Sequence, residues 1–547
     1  MSLLKRASHW TLAIITIATV FVGCMRAPMR PTSLALAAQD NAAANHEKAP
    51  ELDGGTAWLN TAGPVKLADL KGKIVVLDFW TFCCINCIHT LPDLAKIEKK
   101  YEKEVVVIGV HSAKFENEKN TDAIRKAILR YQISHPVVND AEMKIWNRFN
   151  VSSWPTVAVI DPEGNYIGSN SGEGQYEVLD KVITNQIAIH EKKGTLDRKP
   201  IRFDLARFRE KGDTPLFFPG KVLADAASDR LFISDSTHHR LVITTLAGNK
   251  VAVIGTGEPG FKDGSDNVAQ FDDPQGLALD SDTLYVADRK NHSLRSVNLK
   301  DNSVKTIAGT GQQNREGRGR GGPPLTTGLN SPWDLYRIDK VLYVAMAGHH
   351  QIWKFDLAAH RIEPFAGNGR EAIADGPLRR AEFAQPSGLA FDGKKLYVAD
   401  SESSSVRAVD LDPEGEVKTV VGRTGGSLFN FGDIDGIGAA VRLQHALGVA
   451  YANGVLYVAD TYNSKIKTID PAKGECKSWY GGKDGEGWMT DRPLNEPAGL
   501  SIANGKLYVA DTNAHRIRVI DLKNKEASTL VLTGVTAPAS ATQGAAP

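Results

Sequence analysis

Leu77-Asp78-Phe79-Trp80-Thr81-Phe82-Cys83-Cys84-Ile85-Asn86-Cys87 runs out of an apolar segment into a polar-apolar alternation and sets two thiols three residues apart. The residues before it, Ile74–Trp80, form a continuous, largely β-branched apolar run, as in a strand buried on both faces. The residues after it place Ile88, Leu91, Leu94, Ile97 and Tyr101 at helical spacing. A helix that starts near Cys84 presents unpaired N–H groups and the positive end of its dipole. Both stabilise a thiolate, the form of cysteine that attacks a disulfide. Cys87 lies one helical turn further on, placed to resolve the mixed disulfide that Cys84 would form.

Outward from this segment, strand and helix patterns alternate. Val105–Val110 and Thr156–Asp161 read as buried strands, the second closed by the turn Pro162-Glu163-Gly164-Asn165. Asp122–Tyr131 and Val178–Ile189 read as amphipathic helices. The alternation predicts an α/β domain over residues 53–193, followed by a charged linker, 194–214, with no clear period.

From Leu216 the pattern changes to a repeat. Leu231-Phe-Ile-Ser-Asp235, Leu284-Tyr-Val-Ala-Asp288, Leu342-Tyr-Val-Ala-Met346, Leu396-Tyr-Val-Ala-Asp400, Leu456-Tyr-Val-Ala-Asp460 and Leu507-Tyr-Val-Ala-Asp511 recur at spacings of 53, 58, 54, 60 and 51 residues. A Pro-x-Gly-Leu element precedes several copies, and a Gly-rich turn follows most. Short strands with turn signals at this period predict a β-propeller, and six copies predict six blades over residues 215–535. The tail, 536–547, is Ala- and Pro-rich and is expected to be disordered. The chain is therefore expected to be multidomain, an α/β unit followed by an all-β propeller.

The residues around the cysteines carry a resemblance. Residues 58–193 resemble a thioredoxin-like domain of the TlpA and ResA kind, and the repeats resemble the NHL family. The order CCINC, then NHL repeats, is similar to the thioredoxin-plus-NHL proteins related to animal NHL-repeat-containing protein two, over about 480 residues. The resemblance implies that Cys84 and Cys87 are the catalytic dithiol. It makes Asp78, six residues before Cys84, the buried acid that relays a proton to and from the resolving thiol. It places Pro92 where the family helix is kinked. It also makes Trp154-Pro155-Thr156 the cis-proline element that faces the cysteines and receives the substrate chain. The sequence departs from thioredoxin at Ile85-Asn86, which stand between the cysteines in place of Gly-Pro, and at Cys83, an extra thiol where thioredoxin has an aromatic residue. Cys83 reads as a semi-buried passenger, or as an accessory thiol that adjusts the pair. A bond between adjacent Cys83 and Cys84 would be strained and labile.

Composition narrows the function classes. The 547 residues exceed what one core supports, about 250–300. Lys and Arg number 65 against 64 Asp and Glu, a balance that offers no field for nucleic acid. The five cysteines do not make a disulfide scaffold, since three fall within five positions. A second Cys pair is missing and His89 is the only histidine nearby in sequence, so no metal is expected at the dithiol. No metal, flavin or nucleotide cofactor is expected, the Gly-Thr-Gly segments being blade turns. Within the repeats, His239, His292, His350 and His515 fall four residues after the motif Asp or its Met346 equivalent, and read as turn chemistry, as does the Asp itself. Cys476 reads as a small core residue.

The amino terminus reads as an export signal over 1–24. Lys5 and Arg6 precede the apolar run Trp10–Val22, which ends at Phe21-Val22-Gly23-Cys24. This resembles a lipoprotein box with Cys24 as the lipidated residue. Cleavage near Ala35-Leu36-Ala37 and an uncleaved anchor are the alternatives. Residues 25–52 read as a flexible tether. These features predict an exported thiol–disulfide oxidoreductase, periplasmic or anchored as a lipoprotein, acting on protein thiols and disulfides. Its propeller would bind an unidentified protein partner or substrate, and it would touch the membrane only through a lipid. The rival is a non-catalytic, surface-anchored binding scaffold in which the propeller is the functional part. A hydrolase-type propeller is a weaker third.

Overall fold

The computed structural model describes residues 33–34, 47–205, 212–316, 319–482 and 494–539. The signal segment and Cys24 lie outside these residues. Among the described residues no helix is long and apolar enough to cross a membrane.

The first domain is an α/β unit. Strands β1 (Ala57–Leu59), β2 (Ile74–Trp80), β3 (Val105–His111), β4 (Val137–Asn139), β5 (Thr156–Ile160) and β6 (Tyr166–Ser171) make one sheet in the order β1-β4-β3-β2-β5-β6. β3 runs parallel to β2 and β4, while β5 is antiparallel to β2 and β6. Successive side chains of a strand point to opposite faces, so the unbroken apolar run of β2 needs a cover on each. Val75, Leu77 and Phe79 pack with Trp146 and Phe149 on one side. Ile74 and Val76 pack with Leu94, Ile97, Leu179 and Val182 on the other. These last four belong to α1 (Ile85–Lys100) and, at the end of the domain, a helix over Tyr176–Lys193. Between them lie α2 (Thr121–Arg130) and the short α3 (Lys144–Arg148), so the last helix is α4. Asn120 caps α2, its Oδ1 accepting from the N–H groups of Asp122 and Ala123.

The second domain is a six-bladed propeller of antiparallel sheets. Each Leu-Tyr-Val-Ala motif forms the second strand of its blade, as in Thr283–Asp288 between Pro274–Asp280 and Ser293–Asn298. The six inner strands surround a channel, the last (Pro497–Ala503) abutting the first (Val222–Asp225). Lys221 Nζ spans the channel, donating to the carbonyls of Ser387 at 2.6 Å and Leu447 at 2.7 Å, and pairing with Asp334 at 3.2 Å. The chain end closes the ring from outside: Lys250 N–H donates to Thr533 O and Thr533 N–H to Gly248 O, both at 3.0 Å.

The repeated residues build the blades. Oδ1 of Asp235, Asp288, Asp400, Asp460 and Asp511 accepts a backbone N–H from the loop before the inner strand. The second oxygen pairs with a cation of the next strand: Arg240, Arg295, Arg407, Lys467 or Arg516. The third blade replaces both charges at once. Met346 and Trp353 stand where the other blades put Asp and its cation, and both are fully buried. A buried ion pair exchanged whole for apolar groups costs little, whereas losing one partner costs much. The repeated histidines join blades: His239, His292, His350 and His515 adopt left-handed φ of 52, 46, 52 and 55°. Each Nδ1 accepts the backbone N–H of Asp273, Ser331, Gln385 and Phe218 in the next blade.

Two expected boundaries shift. The packed part of the first domain begins before residue 53: Tyr166 N–H donates to Glu47 O, Ala49 N–H to Gly164 O, and Leu52 is buried. Glu47 and Ala49, assigned to the tether, thus add backbone hydrogen bonds at the start of β6. The start of the 194–214 linker is also held, since Lys73 Nζ donates to the carbonyls of Asp197 and Lys199. At the other end, Thr536 O accepts from Arg240, while 540–547 lie outside the described residues.

Candidate functional site

β2 delivers the site residues in order. Asp78 sits mid-strand opposite Gly109 of β3 and Val157 of β5, at the centre of the sheet. It is fully buried, and neither carboxyl oxygen has a hydrogen-bond partner among the described residues. Burial pushes its carboxyl up to about 7, and Glu98 adds to this while the nearby His135 works against it. His135 is itself buried 3.3 Å from Glu98. A carboxyl poised near neutral pH can both take and return a proton.

After Trp80 the chain turns and Cys84 becomes the N-cap of α1, with extended φ and ψ of −79 and 116°. Its Sγ accepts the N–H of Cys87 at 3.4 Å, as a capping oxygen would. Cys84 is 6% exposed and Cys87 0%. Burial pushes the Cys87 thiol well up, and its neighbours Cys84 and Asp78 raise it further, so it keeps its proton until a base takes it. All described cysteines are free thiols. Pro92 lies inside α1.

Trp154 and Pro155, joined by a cis bond, precede β5. The Trp154 indole packs on the cluster that holds both cysteines, and its Nε1–H donates to Ser112 O at 2.9 Å. Thr156 is buried, its hydroxyl 2.7 Å from Ser153 O and Ser171 Oγ. That hydroxyl is used inside the domain and is not presented to a partner.

Cys83 lies against the propeller, beside Glu402 and His445. Its N–H donates to Glu118, whose carboxylate also gathers the N–H groups of Lys114 and Phe115. Burial, Glu118 and Glu402 push its thiol well up.

The propeller covers this whole face. The residues just before Pro219, Pro274, Pro332, Pro386, Ala446 and Pro497 are Phe218, Asp273, Ser331, Gln385, His445 and Glu496, all with left-handed φ. They form a ring turned towards the first domain. Gln385 reaches the active-site loop twice: Oε1 accepts the Ile85 N–H at 2.9 Å and Nε2 donates to Cys83 O at 3.0 Å. Ser331 Oγ meets His89 Nε2 at 2.7 Å. Glu496 accepts from Asn117 at 2.9 Å and pairs with Arg130. Ile85 and Ile88 bury themselves against Trp333, Ala347, Leu447 and Ala498, each worth about 1.5–3 kcal/mol by area. Phe82 and Phe115 pack on Tyr462. None of this ring was singled out from sequence. The signal for it is a single variable position, holding Phe, Asp, Ser, Gln, His and Glu in turn, inside an otherwise repeated frame.

Known proteins bear on this arrangement. The thioredoxin-like family profile matches residues 72–166, and the NHL repeat profile matches 271–295 and 494–520. The chain is 46% identical over 512 residues to Protein SUPPRESSOR OF QUENCHING 1, chloroplastic, of Arabidopsis thaliana, covering 89% of this chain and 48% of that protein. It thus spans about half the length of that relative. It is 26% identical over 140 residues to the thiol-disulfide oxidoreductase YkuV of Bacillus subtilis, 25% of this chain and 93% of that one. To NHL repeat-containing protein 2 of Homo sapiens it is 42% identical over 518 residues, 88% of this chain and 71% of the relative. With a thioredoxin-like domain leading into a six-bladed NHL propeller, the chain belongs to the NHL repeat-containing protein 2 family.

Proposed function

We propose that this protein is a thiol–disulfide oxidoreductase whose Cys84–Cys87 pair exchanges disulfides with protein partners. The observation that carries this reading is Cys84 at the helix N-cap, its sulfur on the Cys87 N–H, with the partnerless Asp78 carboxyl buried in the strand behind. In the reductive direction the Cys84 thiolate attacks the partner disulfide, forming an S–S bond and expelling a partner thiolate. Asp78 takes the Cys87 proton, and the Cys87 thiolate attacks Cys84 Sγ. That closes the intramolecular disulfide and expels the second partner thiolate. The dithiol supplies both electrons, so the reaction asks for no bound cofactor. Run in reverse, the same steps donate a disulfide.

The propeller serves as the partner platform and as a cover. Two cavities lie between the domains: one of about 410 Å³ beside His89, His135, Arg289 and His292, away from the cysteines, and one of about 40 Å³ beside Phe82, Cys83 and Tyr462, room for a few waters and too small for a peptide disulfide. Exchange with a protein therefore proceeds from an arrangement in which the ring has moved off the active-site loop. The basic, then apolar, segment ending at Cys24 supports export and lipid anchoring as the setting for this chemistry.

The test is a glutathione-buffer titration of the soluble protein from Asp40 onward, with Cys84→Ser alongside. A reversible two-electron transition that the variant loses is expected. A potential near about −270 mV makes the protein a reductant and one near about −120 mV an oxidant. No transition at any potential leaves the binding scaffold as the better account.

A further inference from the structure

Between the two domains, one cluster has no part in the exchange mechanism. Cys83 of the active-site loop, Glu402 of the fourth blade and His445 of the fifth place a sulfur, a carboxylate oxygen and an imidazole nitrogen within 4.8 Å of one another. All three residues are buried. Glu402 Oε2 is ion-paired with Lys114, yet its Oε1 has no hydrogen-bond partner among the described residues. His445 Nδ1 has none either. Buried polar atoms are nearly always satisfied, and here two of them, on side chains that flank one thiol, have no partner among the described residues.

We propose that Cys83, Glu402 and His445 bind a divalent cation of the zinc class, clasped between the thioredoxin-like domain and the propeller. The donor set selects the ion. Sulfur with imidazole and a carboxylate suits zinc and its neighbours, whereas magnesium and calcium take oxygen alone. Bond lengths of about 2.0–2.3 Å put tetrahedral donors about 3.5 Å apart, so the cluster needs to contract by roughly an ångström. Of the imidazole's two nitrogens, Nε2 lies 3.5 Å from Gln385 Nε2 and Nδ1 has no hydrogen-bond partner among the described residues, and as a ligand the ring must be neutral. A cysteine binds a metal as its thiolate. Binding therefore forms a metal–sulfur bond and releases one proton to solvent. The dication would meet one thiolate and one carboxylate, and the buried Lys114 ammonium beside them faces a second carboxylate, that of Glu371. Lys114 keeps Glu402 Oε2 and also faces Glu371 at 3.8 Å. It thereby aims Oε1 at the ion as an outer-shell partner. Three protein ligands leave a fourth position for water. Sequence spacing gave no hint of this site, because Cys83 lies more than 300 residues before both Glu402 and His445.

The experiment uses the full soluble chain, reduced and metal-free, titrated with Co²⁺ as a spectroscopic substitute and then with Zn²⁺ in competition. One equivalent of Co²⁺ is expected to bind with a thiolate-to-metal charge-transfer band and the release of one proton. The band should persist in the Cys84→Ser/Cys87→Ser double variant and vanish in Cys83→Ala. His445→Gln and Glu402→Gln should each weaken binding at least tenfold. Circular dichroism identifies any variant that fails to fold, and the other two then decide. Absence of the band in the parent protein overturns the proposal. So does a band that survives Cys83→Ala and disappears with the Cys84/Cys87 pair, which would put the metal on the redox dithiol. This outcome is independent of the reduction potential, so the two readings stand or fall separately.

Discussion

Gln385→Ala should expose the active site. The Gln385 amide makes two hydrogen bonds, at 2.9 and 3.0 Å, to backbone atoms on either side of Cys84. Each is worth about 0.5–1.5 kcal/mol net, and truncation also strands the Ile85 N–H and the Cys83 carbonyl in a buried place. The closed arrangement should therefore lose about 2–3 kcal/mol relative to the open one. At about 1.4 kcal/mol per tenfold, the open fraction rises roughly 30- to 150-fold. When opening is fast relative to chemistry, the alkylation of Cys84 tracks that fraction. The assay is the rate of iodoacetamide labelling at Cys84 in the reduced full chain, read by mass spectrometry. It is made at a pH where the thiolate absorbance has levelled off in both proteins, so that nucleophilicity cancels. A rate within twofold of the parent would refute the idea that Gln385 holds the cover in place.

Other expectations follow from the same geometry. Asp78 has its pKa raised from 3.8 to about 7 by burial, so the fold prefers the neutral acid and loses stability as pH rises between those values. The loss is complete above pH 7 and amounts to roughly 4 kcal/mol at about 1.36 kcal/mol per unit. Asp78→Asn should thus raise the melting temperature at pH 8, leave it nearly unchanged at pH 3.5, and slow the resolving step; equal effects at both pH values would contradict this. Cys87→Ser should accumulate a mixed disulfide between Cys84 and its partner, detectable on non-reducing gels, because the resolving thiol is gone. In the fourth blade, Arg407→Met leaves Asp400 buried without its cation and should cost about 3–5 kcal/mol by denaturant titration. Adding Asp400→Met should recover much of that, since the third blade already runs on Met346 and Trp353.

The parts of this molecule that the sequence by itself determines are those built over short spans of chain. The run Ile74–Trp80 and the helix that follows Cys84 announce themselves by periodicity, because side-chain direction repeats every two residues in a strand and every 3.6 in a helix. The dithiol is legible for the same reason, its members being one helical turn apart. A propeller blade is also a local unit, so six copies of one motif suffice to count the blades. Short elements escape this reading: β1 and β4 have three residues each and α3 five, too few to show a period. What tertiary structure alone settles is the company the cysteines keep. Gln385 reaches Ile85 across 300 residues of chain, and Glu402 and His445 reach Cys83 across longer gaps. No periodicity links such positions. They meet because α1 buries Ile85 and Ile88 on the propeller, and the hydrophobic effect that drives that burial carries no direction. Which polar groups then lie opposite the thiols depends on the shape of both surfaces.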